Sequence, residues 1–135
     1  MLFDAHTHIQ FPAYDGDREE TLARARAAGV KMIAVGTQYA TSLAAVNLAS
    51  KHPDDVWASI GFHPNHAVPV GWYHDPKEQA ADQPEIFDRK KFEELARNPK
   101  VVAIGECGLD YYRLDTSDLP LATSIKEAQK KIFME

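Results

Sequence analysis

Four short apolar runs punctuate the chain, each followed by a stretch in which apolar residues recur at helical spacing. Leu2 to His6, Lys31 to Val35, Val56 to Ile60 and Val101 to Ile104 have the length of strands. Lys31 to Val35 is nearly continuous in apolar character, the pattern of a parallel strand covered on both faces. Between the runs, Asp17-Arg18-Glu19-Glu20 is a variant capping box that opens a helix. Leu22, Ala25 and Ala28, or Ala23 and Ala27, form its small-residue face, and Gly29 stands at the position of a left-handed C-terminal cap. Thr41 is placed to cap a second helix through Leu43, Val46 and Leu48, which His52-Pro53 stops near Lys51.

A third helix is predicted from Asp88, with Phe87 and Phe92 at the spacing of a hydrophobic staple, ending at Asn98-Pro99. A last helix carries Ser124 and Glu127 in capping-box register and Ile125, Ala128 and Ile132 on one face. Asn65 to Glu85 is rich in proline and polar residues and reads as a long loop, which in a compact domain has a task. The alternation gives four successive βα units, hence a parallel α/β sheet. Two architectures fit it: a flavodoxin-like open sheet, or the first four βα units of a (β/α)8 TIM barrel, an incomplete barrel. Polar residues cluster after strands 1, 3 and 4, and functional groups at several strand C-termini favour the barrel.

Composition narrows the partners. The 135 residues suit one domain, 1–135, that includes a long loop at about 62–87, and 44% hydrophobic content suffices for a core. No run approaches the ~20 apolar residues of a membrane span, and the N-terminus has no basic region leading into an apolar one. A soluble, cytoplasmic protein without a membrane partner is expected. A single cysteine, Cys107, excludes an internal disulfide and a cysteine-rich zinc centre, and is read as a small buried side chain. The net charge of −5 gives no basic field for tracking phosphates, so a phosphate substrate has to be held locally, as a bound divalent cation would hold it.

The chemistry gathers at the strand ends. In Asp4-Ala5-His6-Thr7-His8 the period of two places Asp4, His6 and His8 on one side, two imidazoles for a divalent ion with a carboxylate to fix a tautomer. His63 follows strand 3, where it serves the same mouth or packs as a strand-end residue beside Phe62. Glu106 follows strand 4, and a glutamate there is costly without a partner. Glycines at 105 and 108 let the backbone turn and bring the carboxylate to a cation. His66 and His74 read as solvated loop residues. Tyr111, Tyr112 and Arg113 either line a substrate pocket or cover the rim. Trp57 reads as core, and Trp72 as a lid residue or a surface anchor.

Together Asp4-Ala5-His6-Thr7-His8, Gly61-Phe62-His63-Pro64 and Gly105-Glu106-Cys107-Gly108-Leu109-Asp110-Tyr111, with the helix bearing Lys126-Glu127-Ala128-Gln129, resemble the TatD family of metal-dependent deoxyribonucleases. The resemblance implies an amidohydrolase-type (β/α)8 barrel with one or two divalent metal ions, of Mg, Mn or Zn. It implies His6, His8 and Glu106 as metal ligands, Glu106 bridging as the catalytic carboxylate, His63 as a substrate or phosphate contact, and Asp110 and Tyr111 near the substrate.

The implied activity is hydrolysis of phosphodiester bonds in DNA, or of another phosphoester, by a metal-activated water. Two rivals remain: an amidohydrolase-type enzyme cleaving amide, lactone or phosphotriester bonds, and a non-catalytic half-barrel kept for metal binding or assembly. The family pattern continues with histidines after strands 5 and 6 and an aspartate after strand 8. A barrel takes about 250 residues, so the resemblance covers its first half. The expectation for the chain itself is a truncated fragment with an incomplete site, weak metal binding and little turnover. The apolar edges of its half-barrel would lead to self-association.

Overall fold

A computed structural model describes residues 2–67, 75–78, 84–112, 114 and 117–135. His74, Trp72 and Arg113, singled out above, lie outside the described residues. Four strands, β1 (Leu2–Thr7), β2 (Val30–Val35), β3 (Val56–Ile60) and β4 (Val101–Ile104), alternate with helices α1 (Arg18–Ala27), α2 (Tyr39–Lys51), α3 (Arg89–Leu95) and α4 (Leu119–Met134). The strands form one sheet in the order β1-β2-β3-β4, every pairing parallel. The expected α/β class with four βα units is thus what the chain adopts.

The core lies on the helix side of the sheet. Met32 and Ala34 of β2 and Val56, Ala58 and Ile60 of β3 alternate along their strands and pack on Ala45, Val46, Leu48 and Ala49 of α2, with Leu22 and Leu95 adding α1 and α3. The intervening residues face the other way. Lys31 and Ile33 are only half-buried, so β2 is not covered on both faces as its apolar run suggested, because no second layer packs there among the described residues. Trp57 also stands on that face, not in the core: its ring lies 5.4 Å from Phe3 and the ammoniums of Lys31 and Lys100 lie 5.5 and 5.3 Å from its centroid. The two outer strands carry exposed apolar residues, Leu2 at 67%, Phe3 at 51%, Val102 at 52% and Ile104 at 75% of their full area.

Several local expectations are shifted. The Asp17 side chain makes no capping bond, although Asp17 is the N-cap of α1 and Gly29 takes the left-handed φ of +69° beyond its end. Helix α2 starts two residues before Thr41: Gln38 is its N-cap, and the Thr41 hydroxyl reaches back to accept from the Thr37 and Gln38 N–H groups at 2.8 and 3.0 Å. The first N–H groups of α2, on Tyr39 and Ala40, donate to the Glu85 carboxylate at 2.8 and 3.0 Å, an anion at a helix N-terminus supplied from the long loop.

Phe87 and Phe92 do stack, 5.4 Å between ring centroids, and Asp88 caps α3 by accepting from the Lys90 N–H at 3.0 Å. Helix α4 begins at Leu119, five residues before the Ser124 capping box, because Asp118 accepts from the Leu121 N–H at 2.9 Å and Pro120 suits the first turn. Cys107 is exposed, contrary to expectation, at the border of a cleft of about 360 Å³ between α3 and α4 that Phe62, Phe92, Ile104 and Ile132 line. No helix among the described residues is long and apolar enough to cross a membrane.

Candidate metal centre

A β-bulge sets the first two imidazoles. Asp4 pairs with Met32 in β2, but Thr7 pairs with Ala34, so β1 contributes one more residue than its partner between these points. Asp4 and Thr7 therefore share the phase of the helix-side residues Met32 and Ala34, while His6 and His8 fall on the opposite face. The expectation that Asp4 shares their side fails for this reason. Its carboxylate accepts from the His6 backbone N–H at 3.1 Å and holds the bulge, not an imidazole tautomer. That task falls to a backbone carbonyl: His8 Nδ1 lies 2.8 Å from Val35 O, so Nδ1 carries the proton and donates, leaving the Nε2 lone pair for a ligand.

Glu106 completes the group. Its carboxylate Oε1 lies 2.6 Å from His6 Nε2 and 3.6 Å from His8 Nε2, and the ligand atoms of the three residues lie within 4.8 Å of one another. It arrives there because the backbones after β3 and β4 touch: a Cβ on Gly61 would stand 2.1 Å from Gly105 O, and the Gly105 N–H donates to Ile60 O at 3.0 Å. Gly108, at φ +136°, then turns the chain away.

The electrostatics follow depth. His6 makes the shorter contact but its side chain is 56% exposed against 31% for His8, so solvent screens it and His8 carries the stronger coupling. In its protonated form the His8 imidazole, with Nε2 3.6 Å from Glu106 Oε1, holds the Glu106 carboxyl below the usual carboxylate range, against the opposing effect of burial. The nearby Glu106 carboxylate in turn raises the His8 pKa, with the Val35 carbonyl adding to it and burial opposing. A pair that shares a proton in this way exchanges it for a cation when one binds.

His63 stands at the adjoining strand end. Its backbone N–H donates to Thr37 O at 2.7 Å and its ring Nδ1 accepts from the Asn65 N–H at 3.1 Å. Burial lowers its pKa, with the Glu106 charge opposing and His66 assisting. The ring is thus neutral with its proton on Nε2, a donor and not a ligand, and it lies outside the three-residue group.

Two residues that the sequence did not reveal stand behind it. His66, read as solvated, has a side chain only 9% exposed, its Nε2 lying 3.2 Å from Glu78 Oε1. The Thr37 hydroxyl donates to the same carboxylate oxygen. Glu78 belongs to the long loop, and the Ala13 N–H donating to Lys77 O at 3.1 Å ties that segment to the turn after β1 as well. Burial pushes the Glu78 pKa up, but the bonds from His66 and Thr37 outweigh it and the net shift is downward.

Asp110 and Tyr111 lie on the turn beyond Gly108. The Asp110 carboxylate accepts from the Tyr112 N–H at 2.9 Å, and Lys126 Nζ lies 5.2 Å from the Tyr111 ring centroid. Neither belongs to the His6, His8, Glu106 group.

Comparison with known proteins shows which family the chain is similar to. A family model described as TatD related DNase matches residues 3–135. The 3'-5' ssDNA/RNA exonuclease TatD of Erwinia tasmaniensis is 36% identical over 113 residues, covering 83% of this chain and 38% of that protein. The uncharacterized metal-dependent hydrolase YabD of Bacillus subtilis is 35% identical over 134 residues, covering 98% and 44%. Among solved structures, YJJV, a TatD homolog from Escherichia coli, superposes with a TM-score of 0.61 at 28% identity over 97% of this chain and 46% of that one. An uncharacterized amidohydrolase from Saccharomyces cerevisiae gives 0.60 at 25% identity over 98% and 41%. The chain spans less than half the length of each of these four proteins. With the family match running from β1 to the end of α4, the chain belongs to the TatD related DNase family.

Proposed function

We propose that this chain provides a divalent-metal site for the hydrolysis of phosphodiester bonds in nucleic acid. The observation that carries the reading is the convergence of His6 Nε2, His8 Nε2 and a Glu106 carboxylate oxygen within 4.8 Å at neighbouring strand ends. The donor set fits the ion. Two imidazole nitrogens and one carboxylate oxygen suit zinc or manganese, and the His8 tautomer is already the one that ligation requires. A divalent cation held there supplies Lewis-acid polarisation of a phosphoryl oxygen and lowers the pKa of water.

The residues of the chain divide the remaining work. His6 and His8 hold the cation from β1, with the Val35 carbonyl fixing the deeper ring. Glu106 brings the negative charge that keeps the cation in place, and its lowered pKa keeps it ionised at neutral pH. His63, neutral and with its Nδ1 occupied, presents Nε2–H as a donor to a non-bridging phosphate oxygen. Asp110 and Tyr111 border the substrate path. The relatives named as exonucleases of single-stranded DNA or RNA support nucleic acid as substrate, and the one named as a metal-dependent hydrolase supports the cation. A second copy of the chain, meeting the open edges of β1 and β4, is the proposed protein partner.

Metal titration is the direct test. Calorimetry with Mn²⁺ or Zn²⁺ is expected to show one site, and Glu106→Gln to weaken it by about tenfold or more, since even outer-shell losses cost metal sites that much. Hydrolysis of a single-stranded oligonucleotide should require the ion, be abolished in Glu106→Gln, and be slow. A wild-type chain that binds neither ion would sink the reading.

A further inference from the structure

Tyr112 is 93% exposed, so its ring contributes nothing to the core. Yet the start of the turn that presents it is anchored at Asp110. Gln129 on α4, itself 2% exposed, accepts from the Asp110 N–H at 2.9 Å and donates to the Asp110 carbonyl at 2.9 Å. The Asp110 carboxylate in turn accepts from the Tyr112 N–H at 2.9 Å. Burying an amide side chain is favourable only when its donors and acceptors are satisfied, and Gln129 uses both of its polar ends on one residue of this turn. The effect is a large aromatic side chain presented to solvent from an anchored turn, six residues beyond Glu106.

The surroundings select the kind of partner. Lys126 lies 5.2 Å from the ring of Tyr111, the residue preceding Tyr112, and has no carboxylate partner among the described residues, so the turn carries a cation over Tyr111 in a chain whose net charge is −5. An exposed aromatic face on the same turn as a lysine ammonium matches a base and its phosphate. Stacking requires the base to be unpaired and splayed, which a duplex does not allow.

Resting on the nuclease reading, we infer that the Asp110–Tyr112 turn is a stacking platform for a base of single-stranded nucleic acid, with Tyr112 as the contacting ring and Gln129 as the residue that positions it. Tyr112 supplies the aromatic face, Lys126 supplies charge for the adjoining phosphate, and Gln129 acts only through the turn.

Fluorescence anisotropy separates these roles with two labelled single-stranded DNA oligonucleotides of equal length, one with normal bases and one abasic. Tyr112→Ala is expected to weaken binding of the base-bearing strand about tenfold while leaving the abasic strand unchanged, in keeping with the loss of one stacked base. Tyr112→Phe should restore the affinity. Gln129→Ala should reproduce the base-selective loss, whereas general destabilisation would weaken both strands alike. The platform is overturned if Tyr112→Ala binds the base-bearing strand as the wild type does, or loses both strands equally. If the wild type binds and cleaves single strands and Tyr112→Ala is unaffected, only the platform falls. If the wild type neither binds nor cleaves them, the nuclease reading falls with it.

Discussion

At the scale of single residues, His6, His8 and Glu106 could be read from the sequence because each announces itself locally, as His-x-His or as a glutamate directly beyond an apolar strand. What orients them could not. The His8 tautomer depends on the carbonyl of Val35, a strand away, and a carbonyl carries no sequence signal. Glu78 was equally hidden, since its partners Thr37 and His66 come from different strand ends and only the fold joins them.

Glu78 also gives a pH dependence with a defined sign. Its side chain is 24% exposed and its folded pKa lies below the ordinary value of 4.5. The unfolded chain therefore binds more protons as the pH falls through that range, so this contribution to stability is present above 4.5 and is lost as the pH drops through the folded value. Glu78→Gln should accordingly destabilise the chain at about pH 7 and differ little from the wild type at about pH 3 in urea unfolding. An equal difference at both pH values would show that Glu78 does not titrate in this way.

Among the elements, β2, β3 and the start of α3 were legible to within a residue, whereas α3 ends at Leu95, short of the expected stop at Asn98-Pro99. At α2 and β1 the errors fell where a contact made by the fold overrode a local signal. Glu85 and Gln38 start α2 in place of Thr41, and the bulge in β1 reverses the phase of Asp4 relative to the histidines. The contact of Gly61 with Gly105 was also beyond the sequence, since glycine after a strand predicts a turn and not what it touches.

That contact links packing to the site. A methyl at Gly61 would stand 2.1 Å from Gly105 O and 2.5 Å from its carbonyl carbon, both backbone atoms that cannot rotate aside. Gly61→Ala should cost about 1–3 kcal/mol of stability. It should also weaken metal binding more than a surface substitution of equal stability cost, because Glu106 follows the displaced carbonyl. Calorimetric titration beside urea unfolding measures both, and unaltered metal affinity would detach the Gly61 contact from the site.

For the whole molecule, the parallel sheet has two edges left unpaired among the described residues, and both carry exposed apolar side chains. Leu2 on β1 is 67% exposed and Val102 on β4 is 52% exposed. Unpaired strand edges of this kind recruit further strands, and natural sheets that stay monomeric protect them with charge, proline or a covering helix. Here the lysines of the open face, Lys31 and Lys100, are drawn over Trp57 and leave Leu2 and Val102 bare.

All strands run the same way, so the β4 edge of one copy can continue the sheet at the β1 edge of another in parallel register; one such contact joins eight strands, and the same contact repeated between the two remaining edges closes them into a ring. Sedimentation velocity over a range of concentrations should therefore show a species heavier than 15.1 kDa that grows with concentration. Leu2→Lys combined with Val102→Lys should return it to the monomer, because two added charges at the edges repel and resist desolvation. Wild-type chain that sediments as a monomer throughout, or a lysine pair that leaves the association unchanged, would remove edge pairing as the mode of assembly.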